Sequence, residues 1–194
     1  SLASRVTALV FDPEGKMLYG GDASGTLYQW DVARGQMVNR LNRRYTGSEQ
    51  ADLPISGLAI DPTGKILAMA SADNAIYLRR LPGLRPAGGS VLAGHTRPAS
   101  AVAFHPNGEL LASASHDGTI ILWDVETQQQ IGSPLRGHDG PVNAVAFSPD
   151  GELLASASDD NTVILWPMTT DAWVEIACRI VGRPLSDAET EGFR

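Results

Sequence analysis

The sequence has little of several residue types, and each shortage excludes a class of protein. Cys178 is the single cysteine among 194 residues, so no internal disulfide is possible and a reducing, cytoplasmic location is expected. No apolar run approaches the roughly 18 residues of a membrane-spanning helix. Lys and Arg number 15 against 22 Asp and Glu, and the net charge of −7 disfavours a nucleic-acid partner bound through its phosphates.

Two stretches of the chain are near-copies of each other. Residues 94–124 read GHTRPASAVAFHPNGELLASASHDGTIILWD, and residues 137–167 read GHDGPVNAVAFSPDGELLASASDDNTVILWP. They agree at 21 of 31 positions without gaps, and each matched pair is 43 residues apart. A period of roughly 40–45 residues, with Gly-His at the start and Trp-Asp near the end, is typical of the blades of a β-propeller.

Two weaker repeats precede the near-copies. Pro13, Pro62, Pro106 and Pro149 occupy the first hairpin turn of each repeat, with spacings of 49, 44 and 43 residues. Short apolar runs between Pro-Gly and Asp-Gly signals predict antiparallel strands throughout. The predicted blades 1 to 4 cover residues 5–41, 55–93, 94–136 and 137–167. Blades 1 and 2 are degenerate, and we expect them to be the softer half, held mainly by apolar packing.

The combination GH…SASxD…LW closely resembles the WD40 repeat family. The resemblance implies an all-β fold of WD40-type propeller blades, each a four-stranded antiparallel sheet held together by four hydrogen-bonded side chains. Two such structural tetrads are implied, and their members are His95, Ser113, Asp117 and Trp123 in blade 3, and His138, Ser156, Asp160 and Trp166 in blade 4.

Catalysis is the competing interpretation of the tetrads, because Ser, His and Asp also form nucleophilic triads. The two sets recur 43 residues apart, each with a tryptophan, and a catalytic site has no need of such duplication. His95 and His138 occupy equivalent positions on successive blades and do not converge on one metal ion. We therefore expect no enzyme activity, no catalytic residue, no metal site and no cofactor.

Function is expected at one rim of the propeller, where loops on a rigid scaffold reach solvent. Family analogy places partner contacts at one early strand residue and at the residue before the turn Asp of each blade. The loops that precede blades 3 and 4 add two charged positions. The candidate partner-contact residues are Thr7, Ser56, Arg97, Ser100, His116, Asp139, Asn143 and Asp159.

The end of the chain departs from the strand pattern. Residues 1–169 hold the four blades, and residues 170–194 are predicted to form a short helical tail, because Trp173, Ile176, Ala177, Ile180 and Val181 follow a helical period. The tail resembles the segment after the last repeat of large bacterial WD40 signalling proteins of the STAND type. The residues that carry this second resemblance are Trp173, Cys178, Arg179, Gly182, Arg183, Leu185 and Ser186.

The repeats also predict incomplete ring closure. The sequence begins at Ser1, directly before strand-like residues, and blade 4 ends at residue 167 without an outer strand. We favour the interpretation that the sequence is the C-terminal part of a longer protein whose upstream blades complete the ring. The alternatives are that two copies share one ring and that the four blades close a small ring by themselves.

The expected function is a non-catalytic protein-interaction scaffold or sensing module of a larger bacterial signalling protein, with a protein or peptide partner, no nucleic acid and no membrane. The alternatives are a structural assembly unit that completes a propeller with a second chain and, less favoured, an enzyme that uses the rim or channel.

Overall fold

The computed structural model describes residues 4–41 and 53–168, and the predicted tail lies outside these residues. The described residues form fifteen strands and no helix, which confirms the all-β prediction. The strands of blades 1 and 2 are β1 (Val6–Phe11), β2 (Met17–Asp22), β3 (Leu27–Asp31), β4 (Gln36–Leu41), β5 (Ile55–Ile60), β6 (Ile66–Ser71), β7 (Ala75–Arg80) and β8 (Arg85–Ala93). The strands of blades 3 and 4 are β9 (Ala99–Phe104), β10 (Leu110–Ser115), β11 (Thr119–Asp124), β12 (Gln130–Arg136), β13 (Val142–Phe147), β14 (Leu153–Ser158) and β15 (Val163–Pro167).

Each blade is one antiparallel meander in which consecutive strands pair. Blades 1 to 3 are four-stranded sheets, and blade 4 has three strands within the described residues. The outer strand β8 of blade 2 runs from Arg85 to Ala93. Pro86 and the Gly88-Gly89 pair fit into this strand because an outer strand needs ladder hydrogen bonds on one side only.

Glycine marks the first hairpin turn of every blade for a conformational reason. Gly15, Gly64, Gly108 and Gly151 have φ values of +69°, +70°, +80° and +78°. A residue with a Cβ atom is strained in this left-handed region, whereas glycine adopts it freely. The same turn therefore recurs in all four blades, including the two whose other motifs are degenerate.

The blades pack side by side in chain order through their innermost strands β1, β5, β9 and β13. Three apolar clusters fill the three junctions between successive blades. The junction between blades 2 and 3 contains Ala68, Ala70, Leu111 and Trp123, all nearly inaccessible to solvent. The core is thus divided into layers between sheets, and the edges of the sheets carry the polar side chains.

Candidate functional site: the rim between blades 3 and 4

A buried chain of hydrogen bonds crosses blade 3. The indole Nε1–H of Trp123 donates to Ser113 Oγ over 2.8 Å, and Ser113 Oγ lies 2.8 Å from His95 Nε2. The opposite ring nitrogen, His95 Nδ1, lies 3.1 Å from Asp117 Oδ2. The indole donates to the Ser hydroxyl, the hydroxyl donates to the imidazole, and the imidazole donates to the carboxylate. Each of the four side chains therefore has a hydrogen-bond partner inside the blade.

Blade 4 contains the same arrangement at the corresponding positions. Trp166 Nε1–H donates to Ser156 Oγ over 2.9 Å, and Ser156 Oγ lies 2.7 Å from His138 Nε2. His138 Nδ1 lies 2.8 Å from Asp160 Oδ2. The structure therefore brings together the four residues of each predicted tetrad, which connect the second and third strands of the blade to the loop before its first strand.

Burial and hydrogen bonding set the charges of these groups. Burial lowers the pKa of His95, although the neighbouring Asp117 carboxylate opposes this shift. Burial alone would raise the pKa of Asp117, but hydrogen bonds from Thr119 and from the Thr96 amide outweigh it and hold the pKa below its ordinary value. The hydrogen bond from Thr162 is the main cause of the lowered pKa of Asp160. At neutral pH, His95 is therefore neutral and both aspartates are ionised.

The tetrads are poorly arranged for nucleophilic catalysis. Ser113 is fully buried, and its hydroxyl is already engaged with the Trp123 indole and the His95 imidazole. A nucleophile must approach the reacting atom of a substrate to within about 3–3.5 Å. The described residues also contain no group of three or more His, Cys, Asp or Glu side chains that could hold a metal ion.

The tetrad aspartates also anchor the loops at one edge of the sheets, which we call the rim. Asp117 Oδ2 accepts a 2.9 Å hydrogen bond from the Thr96 amide, and Asp160 Oδ2 accepts one of 3.0 Å from the Asp139 amide. Ser115 Oγ donates to the Arg97 carbonyl over 2.9 Å. These bonds hold both loops at their backbones and leave the side chains of Arg97 and Asp139 exposed.

A cavity of about 260 Å³ opens at the rim between blades 3 and 4. Its walls are the anchored loops and the turn between β10 and β11. The residues that line it are Thr96, Arg97, His116, Asp117, Gly118, His138, Asp139, Gly140 and Pro141. The cavity combines a guanidinium, an imidazole and a carboxylate at the surface with a rigid hydrogen-bonded floor, which is an arrangement suited to binding polar groups of a ligand.

Comparison with protein families identifies the repeats. The family model described as "WD domain, G-beta repeat" matches residues 2–31, 89–124 and 128–167, which together are more than half of the chain. The chain belongs to the WD40 repeat family. The fold is accordingly a set of WD40-type propeller blades, as the sequence predicted, and the general role of the family is that of a protein-interaction scaffold.

Curated relatives match part of this WD40 chain. The Denticleless protein homolog of Danio rerio is 33% identical over 97 residues, which are 47% of this chain and 15% of the relative. The Denticleless protein homolog of Xenopus tropicalis is 29% identical over 96 residues, which are 46% of this chain and 14% of the relative. The chain thus corresponds to a small part of the length of these proteins.

Solved structures support the fold over most of the chain. The structure described as "Structure of U3-55K" superposes with a TM-score of 0.77 and 22% identity, covering 87% of this chain and 50% of that one. "Crystal structure of RRP9 WD40 repeats" gives the same TM-score and identity, with 86% and 49% covered. The likeness at this identity establishes the propeller fold, and this chain spans about half the length of those chains.

The predicted contact residues of the WD40 rim fall into two groups. Arg97, His116 and Asp139 line the cavity and are exposed. Asn143 and Asp159 are also exposed, at the rim of blade 4, where Asn143 Nδ2–H donates to Asp159 Oδ1 over 2.5 Å. These five side chains are accessible to a partner at the rim.

The remaining three candidates, Thr7, Ser56 and Ser100, bond to the next blade. Thr7 Oγ1 donates to the Ile55 carbonyl over 2.5 Å, Ser56 Oγ to that of Ala99 over 2.7 Å, and Ser100 Oγ to that of Val142 over 2.5 Å. Each acceptor is the first residue of the next innermost strand. We call these bonds the junction bonds. They give the three hydroxyls a structural use, and partner contact through them stays a prediction.

Sequence reasoning missed a second type of buried bond, in blades 1 and 2. Tyr28 O–H donates to Asp22 Oδ2 over 2.9 Å, and Tyr77 O–H donates to Asp73 Oδ2 over 2.5 Å. Asp22 Oδ1 also accepts from the Ser24 hydroxyl and from two backbone amides. Tyrosine thus supplies the donor to aspartate that histidine supplies in blades 3 and 4, and the signal was the recurrence of tyrosine 49 residues apart.

Proposed function

We propose that this chain is a non-catalytic, protein-binding WD40 scaffold whose partner contacts the rim cavity between blades 3 and 4. The observation that carries the proposal is the exposure of Arg97, His116 and Asp139 around one cavity whose loops are anchored by buried aspartates. Binding residues on loops held by a rigid scaffold lose little conformational entropy when the partner docks.

The charges of the cavity favour a peptide segment as the ligand. Arg97 and Asp139 offer opposite charges on the two sides of the cavity, so a segment with one acidic and one basic or amide-bearing side chain can pair with both. A nucleic-acid strand fits this site less well, because its phosphates would be repelled by the acidic groups of the rim and by the net charge of −7.

We further propose that the chain is the C-terminal WD40 region of a larger, cytoplasmic bacterial signalling protein, in which it senses a partner or trigger. The support is the W…AC-R…GR-x-L-S pattern of residues 173–186. The coding sequence upstream of this stretch in its genome is the direct test. A nucleotide-binding switch domain followed by further WD40 repeats is expected there, and an unrelated or absent upstream domain would overturn this assignment.

The rim proposal is tested by binding of the labelled chain to an array of peptides with varied charge patterns. Arg97→Glu and Asp139→Arg are each expected to lower the affinity for the best-binding peptides by roughly tenfold or more, because each substitution places like charges of the chain and the peptide together. Arg85→Glu and Glu152→Arg are matched controls, because both side chains are exposed and line neither the rim cavity nor the cavity beside Arg80. Equal effects of rim and control variants, or no selective peptide at all, would refute the rim site.

A further inference from the structure

A second and larger cavity, of about 940 Å³, opens between blades 2 and 3 at the edge of the sheets opposite the rim. The rim cavity lies at the turn between β10 and β11, whereas the second cavity is lined by Glu109, directly before β10, and by Asp124, the last residue of β11. Its other wall contains Lys65, directly before β6, and Arg80, the last residue of β7. Both blades are internal to the row, so the cavity belongs to a junction between two four-stranded sheets.

The two walls of the second cavity carry opposite charges at equivalent positions. Lys65 in blade 2 corresponds to Glu109 in blade 3, and Arg80 corresponds to Asp124. Glu126 adds a third carboxylate to the blade 3 wall. All of these side chains except that of Asp124 are exposed. The cavity therefore offers two cations on one wall and three carboxylates on the other.

Blade 1 neutralises the charges at the same positions with ion pairs of its own. The Lys16 ammonium pairs with the Glu14 carboxylate, and the Arg34 guanidinium pairs with the Asp31 carboxylate over 2.7 Å. Lys16 holds the position of the lysine in the second cavity, and Asp31 holds that of the arginine. A blade of this repeat can thus supply both counter-charges from its own turns.

Blade 2 does not supply these counter-charges. Thr63 and Gly83 occupy the positions that Glu14 and Arg34 hold in blade 1. Among the residues that the structure describes, no carboxylate lies within ion-pair distance of Lys65 or Arg80. The two cations are therefore available to an anionic group that enters the cavity.

The carboxylates of blade 3 are held in place by neutral donors. Asn107 Nδ2–H donates to Glu109 Oε2 over 3.0 Å, and the Thr127 hydroxyl donates to Asp124 Oδ1 over 2.7 Å. The hydrogen bond from the Thr127 amide is the main cause of the lowered pKa of Asp124, so this carboxylate is ionised at neutral pH. These bonds orient the anionic wall without neutralising it.

The inner part of the second cavity is apolar and rigid. Ala87 and Val125 are buried there, and Leu81 is half-buried. Gln128 Nε2–H donates to the Ala87 carbonyl over 2.6 Å and so joins the outer strand of blade 2 to blade 3. The Leu81 and Val125 amides donate to the carbonyls directly before the second strand of their own blades. Both walls are thus fixed before a ligand arrives, which lowers the entropic cost of binding.

We propose that the second cavity binds a peptide segment that carries an acidic and a basic side chain on either side of an apolar one. The acidic side chain pairs with Lys65 and Arg80. The basic side chain pairs with Glu109, Asp124 and Glu126, and the apolar side chain enters the inner part of the cavity. A volume of about 940 Å³ is within the range of ligand-binding cavities.

The alternation of charge favours this ligand over a nucleic acid or a metal ion. The phosphates of a nucleic acid could pair with the cationic wall but would be repelled by the three carboxylates of the other. Within the described residues, these carboxylates are not grouped in a way that could hold a metal ion. The second cavity shares no lining residue with the rim cavity, so the proposal is independent of the rim site.

The test is the binding of fluorescently labelled peptides to the 194-residue chain, measured by anisotropy. The peptides contain one glutamate and one lysine, separated by one to four residues that include a leucine. Saturable binding is expected at one preferred spacing. Replacement of the glutamate or the lysine of that peptide by glutamine is expected to lower its affinity by roughly tenfold or more, because each replacement removes the pairing with one wall.

Variants of the two walls locate the binding site. Arg80→Glu and Glu109→Arg are each expected to lower the affinity by roughly tenfold or more. Arg136→Glu and Glu152→Arg are matched controls, because both side chains are exposed and line neither cavity, and Glu152 holds the position of Glu109 in blade 4. Circular dichroism establishes that each variant retains its strands.

A charge exchange separates direct pairing from a general change of surface charge. A peptide in which a second lysine replaces the glutamate is expected to bind Arg80→Glu more tightly than it binds the native chain, and to bind Arg136→Glu no better. The proposal is overturned if no peptide binds saturably, if wall and control variants have equal effects, or if this exchange restores nothing. Loss of binding in Arg97→Glu but not in Arg80→Glu would assign the peptide to the rim cavity and refute the second site alone.

Discussion

The serine of each tetrad provides the hydroxyl to which both the tryptophan indole and the histidine imidazole form hydrogen bonds. Ser113 Oγ accepts from the Trp123 indole and lies within hydrogen-bond distance of His95 Nε2. Neither neighbour has access to water that could replace the hydroxyl, because both residues are more than 90% buried. The tetrad therefore behaves as a unit, and the loss of the smallest member leaves the two larger ones unsatisfied.

Ser113→Ala is accordingly expected to lower the free energy of unfolding by about 2–3 kcal/mol. Urea denaturation followed by tryptophan fluorescence measures this difference. Ser133→Ala is the matched control, since Ser133 is exposed on β12 and its removal is expected to change stability by less than about 0.5 kcal/mol. Similar losses for both variants would show that the buried relay contributes no special stability.

At the scale of the sheet, blades 1 and 2 are held by more than apolar packing. Asp22 is fully buried, and although burial alone would raise its pKa, hydrogen bonds from Ser24, Thr26 and Tyr28 hold the pKa below its ordinary value. The ionised carboxylate connects the end of β2 to the start of β3. These bonds add to the apolar packing of the two blades, and the expectation that packing is the main contribution stays a prediction.

Tyr28→Phe is expected to destabilise the chain by about 1–3 kcal/mol, since the ionised Asp22 carboxylate loses a buried donor. Tyr19→Phe provides the matched comparison, because Tyr19 is equally buried and its hydroxyl accepts only from the neutral Gln29 side chain, over 3.1 Å. A loss of about 0.5–1.5 kcal/mol is expected there. The charge-assisted role of Tyr28 is rejected if chemical denaturation gives the two variants the same stability.

At the scale of the whole molecule, the hydrogen-bonded aspartates and His95 make the free energy of unfolding depend on pH. The pKa of His95 is lowered from 6.5 in the fold, so between its folded pKa and 6.5 the unfolded chain binds more protons. The pKa values of Asp22, Asp117 and Asp160 are lowered from 3.8. The stability that the ionised aspartates contribute is present above pH 3.8 and is lost as the pH falls toward their folded pKa values.

Stability is therefore expected to fall in two stages, first below pH 6.5 and then more steeply below pH 3.8. Denaturant midpoints measured at intervals from pH 8 to pH 3 test this profile. His95→Gln is expected to be less stable at pH 8 and to have a flatter dependence in the first stage. An unchanged slope between pH 6.5 and 5 in this variant would exclude His95 as its source.

The residues alone are enough to predict the features that recur at a fixed period. Backbone turns and strand alternation are local, so the proline and glycine turns and most strand positions could be predicted from the residues alone. The two tetrads were assigned through the resemblance to the WD40 family, and the return of the same four residue types 43 positions later agreed with that assignment. The Tyr–Asp bonds were missed, because Asp22 lies two positions from the expected turn residue and no single motif covers both degenerate blades.

Which of these side chains meet across blades depends on how the sheets pack against each other. Arg97 and Asp139 are far apart in sequence, and their approach to one cavity depends on how two sheets pack. The hydroxyls of Thr7, Ser56 and Ser100 could not be assigned to junction bonds from spacing, because the accepting carbonyls belong to the neighbouring sheet. Local pattern thus specified each blade, whereas the junctions and the rim cavity follow from the packing of one blade on the next.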